Sequence, residues 1–368
     1  MGWMAPVRHR DVPRLGVVGL INLKGAIRMQ VDIIGVDLAK SVFQVHGVDA
    51  AGEVVVVRKL RRAQVLGFFS RLPPCTVGME ACGSAHHWAR EIGGLGHRVR
   101  LVSPGNVKPY VRRNKTDAAD AAAICEAVSR PHMRFVPVKS AERQAVLSMH
   151  KSRALLVAQR TRTMNALRGH LAEYGVVAPV GVRGFTGLMQ RLERGELEQQ
   201  VPAYLVRALQ ALAATLEGLR ASIGEIEREI LAWMRQDPGS RRLAEAPGFG
   251  PLVASGISAG LTDPGAFRSA RDFAASLGLT PRIEATGGRA RLGPISKRGD
   301  RYLRRLLING AHSWLQSPRA RLDPWIVRLL AEKPRGQVAV ALANKMARIA
   351  WAMIAKDQPY RPREAAMA

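Results

Sequence analysis

Apolar residues change their spacing twice along this chain, and the changes divide it into three parts. Between Met29 and about Arg130 they come in short runs: VDIIGVD, SVFQVHGV, EVVVVRKL, CTVGME and HRVRLV. Runs of this length, rich in β-branched residues and bounded by turn signals such as those at residues 49–52, predict strands. The first three strands follow one another. The later ones alternate with predicted helices over AQVLGFFSRL, HHWAREIGGLG and DAADAAAICEAVSR, an order that predicts a mixed α/β domain. From about Ser140 to Pro238 the spacing lengthens to three or four residues. AERQAVLSMHKSRALLVAQRTRTMNALRGHLAEYG and YLVRALQALAATLEGLRASIGEIEREILAWMRQD read as long helices with one apolar stripe and basic residues elsewhere. A Gly/Pro/Val connection near residues 175–185 would pair them as an antiparallel hairpin or coiled-coil arm. From about Arg241 shorter helices return: LAEAPGFGPLVASGISAGL reads helix, tight turn, helix, and QVAVALANKMARIAWAMIA reads as a packing helix. The expected class is α/β plus α, with domains over 29–139, 140–238 and 239–355 and a tail over 356–368.

Residues 1–28 fit none of these patterns. They contain one weak apolar run, LGVVGLINL, and no convincing cleavage site, and Met29 directly precedes the first strand. They read as a disordered extension or a misassigned start. No apolar run approaches the ~20 residues of a membrane span, so no membrane partner is expected. Cys75, Cys82 and Cys125 form no CxxC and have no metal-ligand spacing with histidine, which suits reduced thiols in a cytoplasmic protein.

Charge adds the first functional constraint. Lys and Arg number 56 against 29 Asp and Glu, giving a net +27 and a pI near 11.3. The basic residues run through the whole chain, the footprint of a polyphosphate binder. Against that excess four acids stand out. Asp37 ends the run IIGVD, Glu80 ends TVGME, and Asp117 and Asp120 lie three residues apart in NKTDAADAAA, on one face if that segment is helical. Carboxylates at the ends of buried strands are poor packing choices and good ligands for Mg²⁺ or Mn²⁺. Two such ions can bind both the attacking and the leaving oxygen of a phosphodiester displacement. The plainer readings are a turn residue for Asp37 and a helix cap for Asp117. With the acids at these positions, the element order is that of a ribonuclease-H-like domain.

Further residues suit phosphate contacts. Lys115 precedes the acidic pair. Gly248 and Gly250 lie in the PGFGP turn, which resembles a helix-hairpin-helix element whose backbone N–H groups face a phosphate. Arg289, Arg291, Lys297, Arg298, Arg301, Arg304 and Arg305 make a dense basic loop and helix. His86 and His87 fit either a phosphate contact or a helix start.

Together IIGVDLAK, VGMEACGS and NKTDAADA resemble, in order and spacing, the acidic tetrad of the DEDD transposases of bacterial insertion sequences, the IS one-ten family related to Piv-type DNA invertases. LAEAPGFGP and LGLTPRIEATGGRARLGPISKRGDRYLRRLL are similar to that family's C-terminal domain. The resemblance covers nearly all of Met29 to Ala355. It implies a RuvC-like catalytic domain, a coiled-coil arm and a C-terminal transposase domain, in a bacterial protein associated with the nucleoid when acting. It further implies donor and target DNA as substrates, an element-encoded noncoding RNA that bridges them, and a homodimer or homotetramer. The family attacks DNA with a serine in an SG motif; here the motif reads EATGG. Counting from TPR puts Thr286 at that position, and counting back from ISK puts Ala285 there. Only threonine keeps a hydroxyl, so Thr286 is favoured as the nucleophile. A hydrolytic junction nuclease using the acids alone, or a DNA-binding copy with a defective site, are the competing readings.

Overall fold

A computed structural model of the chain describes residues 30–111, 116–286 and 289–361. The extension expected over residues 1–28, and Lys115, lie outside the described residues. The chain divides after Val138 into two units.

The first unit is built on a six-stranded sheet. Its elements are β1 (Ile33–Leu38), β2 (Val42–Val48), β3 (Val54–Arg61), α1 (Val65–Phe69), β4 (Thr76–Glu80), α2 (Ala85–Gly94), β5 (Arg98–Val102), α3 (Pro104–Val107), α4 (Asp117–Ser129) and β6 (Phe135–Val136). Strand order is β3-β2-β1-β4-β5-β6. The β1–β2, β2–β3 and β5–β6 pairs are antiparallel, while β1–β4 and β4–β5 are parallel. Side chains alternate across a strand, and both faces of β1 and β4 are used. Ile34, Val36, Val77 and Met79 are fully buried in the cluster that includes Val65, Phe69 and Trp88 from α1 and α2. The opposite face carries α4, whose Ala123, Ile124 and Val128 pack in a separate cluster with Val102 and Ile33.

The second unit is mostly helical. It contains α5 (Ala141–Ala172), α6 (Val182–Glu193), α7 (Ala203–Gln236), α8 (Pro238–Ala244), α9 (Pro251–Gly260), α10 (Ala270–Ser276), β7 (Pro281–Thr286), β8 (Arg289–Ile295), α11 (Arg301–Gln316), α12 (Pro324–Glu332) and α13 (Arg335–Ala355). Ser140 starts α5 by accepting the Arg143 N–H at 3.2 Å, a cap worth about 1 kcal/mol. Helices α5 and α7 run antiparallel, as the predicted arm requires. Arg153 donates to Glu227 at 2.6 Å, Trp233 donates to Glu142 at 2.6 Å, and Leu167 and Leu171 share a cluster with Leu209 and Leu216.

Three expectations are corrected here. The connection between the long helices is no simple turn, because it contains α6, which buries Phe185, Leu188 and Leu192. The glycines at 184 and 187 dilute its helical pattern and hide it from propensity. The basic loop after residue 280 is an antiparallel hairpin, β7–β8, in which Thr286 pairs with Arg289. Finally, α13 is a helix long and apolar enough to cross a membrane by length and composition. Its Val338, Leu342, Met346 and Ala350 are fully buried in the core cluster of the second unit, so core packing accounts for the run.

Candidate active site and nucleic-acid interface

Two glycines set the acidic site. Gly35 of β1 pairs with Gly78 of β4, and Val36 with Met79, in parallel register. Asp37 and Glu80 are the next residues, Asp37 one short of the end of β1 and Glu80 the last of β4, on adjacent strands that lie about 4.8 Å apart. Helix α4 lies directly on the glycine pair. A Cβ on Gly35 would meet the Ala121 carbonyl oxygen and come within 2.5 Å of the Cys125 nitrogen; one on Gly78 would meet the Val128 side chain. Asp37 and Glu80, two residues beyond these glycines, point to the same face.

The other two acids lie in the first turn of α4, the helix packed on that face. Asp120 directly precedes Ala121, and Asp117 lies one turn earlier. Thr116 is the cap, its Oγ1 accepting the Ala119 N–H at 3.2 Å. The cap reading of Asp117 is therefore wrong. Asp117 is exposed and Asp120 half-buried, and acids in a first turn also favour the helix dipole.

Cys82 reports on the same edge. Burial pushes its thiol up, and the charges of Glu80 and then Asp37 push it further against an opposing backbone hydrogen bond. The donors are all carboxylates, hard oxygen ligands suited to Mg²⁺ or Mn²⁺, so the chemistry of the set fits a divalent ion. The side chains are not drawn into a closed cage: among the described residues no three His, Cys, Asp or Glu side chains could together hold a metal. His87 contacts Glu91 one turn on at 3.8 Å and edges onto Trp88, which fits a helix-start role.

The second unit sorts its basic residues by burial. Arg291, Lys297, Arg298, Arg301 and Arg305 are exposed. Arg305 lies 5.3 Å from the Tyr302 ring. Arg304 is different. Only 8% exposed, it donates to the Leu277 carbonyl at 2.9 Å and the Arg298 carbonyl at 2.8 Å. Its assignment as a nucleic-acid contact is overturned, because the guanidinium holds the turn after α10 against the start of α11. The side chain of Arg289 lies outside the description. Thr286 is exposed at the last position of β7, beside an exposed Ala285.

Gly248 is also explained by packing. It has φ of 81°, and a Cβ there would lie 2.8 Å from Met346 Cε and 2.9 Å from the Gly310 carbonyl oxygen. The turn it makes is pressed onto α11 and α13. Gly250, by contrast, opens to free space ahead of α9. The sequence reading missed Gly35 and Gly78, although both stand inside the acidic motifs. Their signal, a glycine two residues before each acid, acquires meaning only through the strand register.

Comparison with known proteins agrees with the two halves. Residues 34–176 match a family model described as a transposase of the DEDD, IS110 type, and residues 240–324 match the model for the transposase IS116/IS110/IS902 family. A Pseudomonas aeruginosa protein described as a "Probable family 20 transposase" is 51% identical over 337 residues, covering 91% of this chain and 100% of the relative. The transposase for insertion sequence element IS1328 of Yersinia enterocolitica is 41% identical, with 87% and 96% covered. The transposase for IS1111A of Coxiella burnetii is 36% identical, with 97% and 98% covered.

Proposed function

The chain belongs to the transposase IS116/IS110/IS902 family, and from that premise we propose that it cleaves and exchanges DNA strands using Mg²⁺ or Mn²⁺ held by Asp37, Glu80, Asp117 and Asp120. The observation that carries this reading is the Gly35–Gly78 pair, which seats α4, the helix with Asp117 and Asp120 in its first turn, on the sheet face to which Asp37 and Glu80 point. The strand order β3-β2-β1-β4-β5 supports a ribonuclease-H-like domain of the RuvC type. When bound, the ion supplies positive charge to the scissile phosphate and its leaving oxygen. The rigid strand ends keep Asp37 and Glu80 in position, and the capped helix start does so for Asp117 and Asp120.

Thr286 is the proposed attacking residue. Its exposed hydroxyl would form a phosphate ester with DNA, releasing one deoxyribose hydroxyl that takes up a proton. Attack by a second strand's hydroxyl would then return the proton to Thr286 and complete exchange. The exposed Arg291, Lys297, Arg298, Arg301 and Arg305 suit phosphate contacts, and Gly250 a backbone contact. Such contacts carry little sequence information. An element-encoded RNA that pairs with donor and target DNA would supply the specificity. Handling two duplexes fits a homodimer or homotetramer.

The test is a strand-transfer assay with Mg²⁺, the element's DNA ends and RNA from its noncoding flank, read on a denaturing gel. Wild type and Thr286→Ser should form a covalent protein–DNA adduct and Thr286→Ala should not. Cleavage without adduct, equal in Thr286→Ala, would replace this reading with a hydrolytic nuclease. Binding without any reaction, across RNAs from both flanks, would mark a defective copy.

A further inference from the structure

Between the β7–β8 hairpin and helices α12 and α13 the second unit has an open groove of about 1860 Å³. It is lined by none of the residues assigned above to DNA. Ligand pockets for small molecules measure about 300–1,000 Å³, so a larger open groove suits a length of polymer.

Its charge is decided by how one carboxylate is spent. Asp323 is the only acid among the lining residues. It accepts from the Trp325 N–H at 3.0 Å and the Ile326 N–H at 3.3 Å, capping α12, and its other oxygen accepts from Lys345 at 3.3 Å. The Lys345 ammonium is held besides by the Trp325 ring at 4.4 Å and the Trp314 ring at 5.9 Å. Asp323 and Lys345 therefore cancel. Arg319, Lys333, Arg348 and Arg361 remain, all four exposed and without an ion pair among the described residues.

Flat apolar surface lines the same groove. The Trp325 and Tyr360 rings are half-buried in it, and Leu292 and Leu322, 70% and 81% exposed, stand on its wall. Cations track a sugar-phosphate backbone, while rings and aliphatic groups stack on unpaired bases, the combination that binds single strands. A duplex keeps its base faces inside the stack and would leave this surface unused.

We propose that this groove holds a single-stranded DNA segment, the strand separated from its complement during exchange. The occupant's origin rests on the strand-exchange reading, whereas the groove's preference for a single strand does not.

The test is fluorescence anisotropy with the full chain, in chelator so that nothing is cut, on a DNA single strand of about 12 nucleotides. The same sequence is offered as duplex and as RNA. The duplex has the exposed cations of β8 and α11 to bind, so a groove variant should leave its affinity nearly unchanged while acting on the single strand. Arg319→Ala/Arg348→Ala should weaken single-strand binding about tenfold and reduce the log–log salt slope by about 1.4. Arg207→Ala, an exposed cation on α7, should leave it unchanged. Photocrosslinking of wild type to a 4-thiothymidine strand needs no variant to fold and should label peptides carrying Trp325 or Tyr360. Crosslinks confined elsewhere, or an Arg319→Ala/Arg348→Ala loss as large for the duplex as for the single strand, would overturn the groove assignment. Tighter binding of the RNA with the same groove dependence would overturn DNA as the occupant. Groove binding intact in a protein that never exchanges strands would remove the strand-exchange reading and leave the single-strand site standing.

Discussion

The acidic edge of the first unit and the basic hairpin of the second differ in what holds their charged groups. Asp37, Glu80 and Asp120 are fixed through backbone, by strand register and by a helix lying on two glycines. The basic residues sit on a two-stranded hairpin and the helix after it, where most extend into solvent and one, Arg304, is consumed by packing. The comparison teaches that scarce charge at ordered positions singles out a candidate site, whereas abundant charge does not. In a chain of net +27 a single arginine says little until its burial is known.

The largest break in that comparison should come from the acids. Asp37→Ala and Glu80→Ala should each lower DNA cleavage by on the order of 10³-fold with duplex affinity kept, measured as single-turnover rates beside anisotropy. A comparable loss of binding or of the folded signal would make these acids structural.

Next comes the glycine seat. Gly35→Ala sets a methyl against the backbone of Ala121 and Cys125, which cannot swing away, and should cost about 3 kcal/mol. Gly78→Ala meets the Val128 side chain, which can shift, and should cost nearer 1 kcal/mol. Urea midpoints would show the asymmetry. Equal costs would mean that side chains, not backbone, set the height of α4.

The second unit has its own fixed polar centre at the root of the arm. His150 is fully buried between Tyr302 Oη at 2.9 Å and Ser255 Oγ at 3.1 Å. Burial, with Arg153 adding to it, holds the imidazole down at about 4 against its ordinary 6.5. The unfolded chain therefore takes up the proton first as pH falls. The stability from neutral His150 is complete above about 6.5, declines toward 4 and changes no further below that. Between pH 7.5 and pH 5 the loss should be about 2 kcal/mol. His150→Gln should start less stable and show a flatter acid limb in chemical denaturation; an unchanged slope would assign the acid sensitivity to other groups.

The smallest effects sharpen the sorting of arginines. Arg304→Ala leaves two carbonyls without their charged donor and should cost about 1.5 kcal/mol, with DNA affinity of the folded protein unchanged. Arg305→Ala should leave the melting curve in place and reduce the salt slope of duplex binding by about 0.9. Reversed results would exchange their roles.

Much of the first unit could be read directly. Its strands alternate or run apolar over a few residues, and their acids stand at the ends of those runs, so local pattern and site coincide. The second unit was harder because its signals compete. Alternating residues around Gly287 and Gly288 are a hairpin signal, which the density of charge disguised as a loop. The glycines that dilute α6, at 184 and 187, masked a helix held by the burial of Phe185, Leu188 and Leu192.

Residue order alone determined the strands and helices of the first unit, the two long helices, the excess of positive charge, the four acids and the family, because these depend on near neighbours and on composition. Tertiary structure decided the rest. Gly35 faces Gly78 only once β1 and β4 pair, and only then does α4 descend onto them. Arg304 turns inward while Arg305 turns out because one side of α11 meets the core. Asp323 and Lys345 neutralise each other, leaving four cations to line a groove, because α12 and α13 fold side by side. Each outcome depends on contacts between residues distant in sequence, which no local pattern encodes.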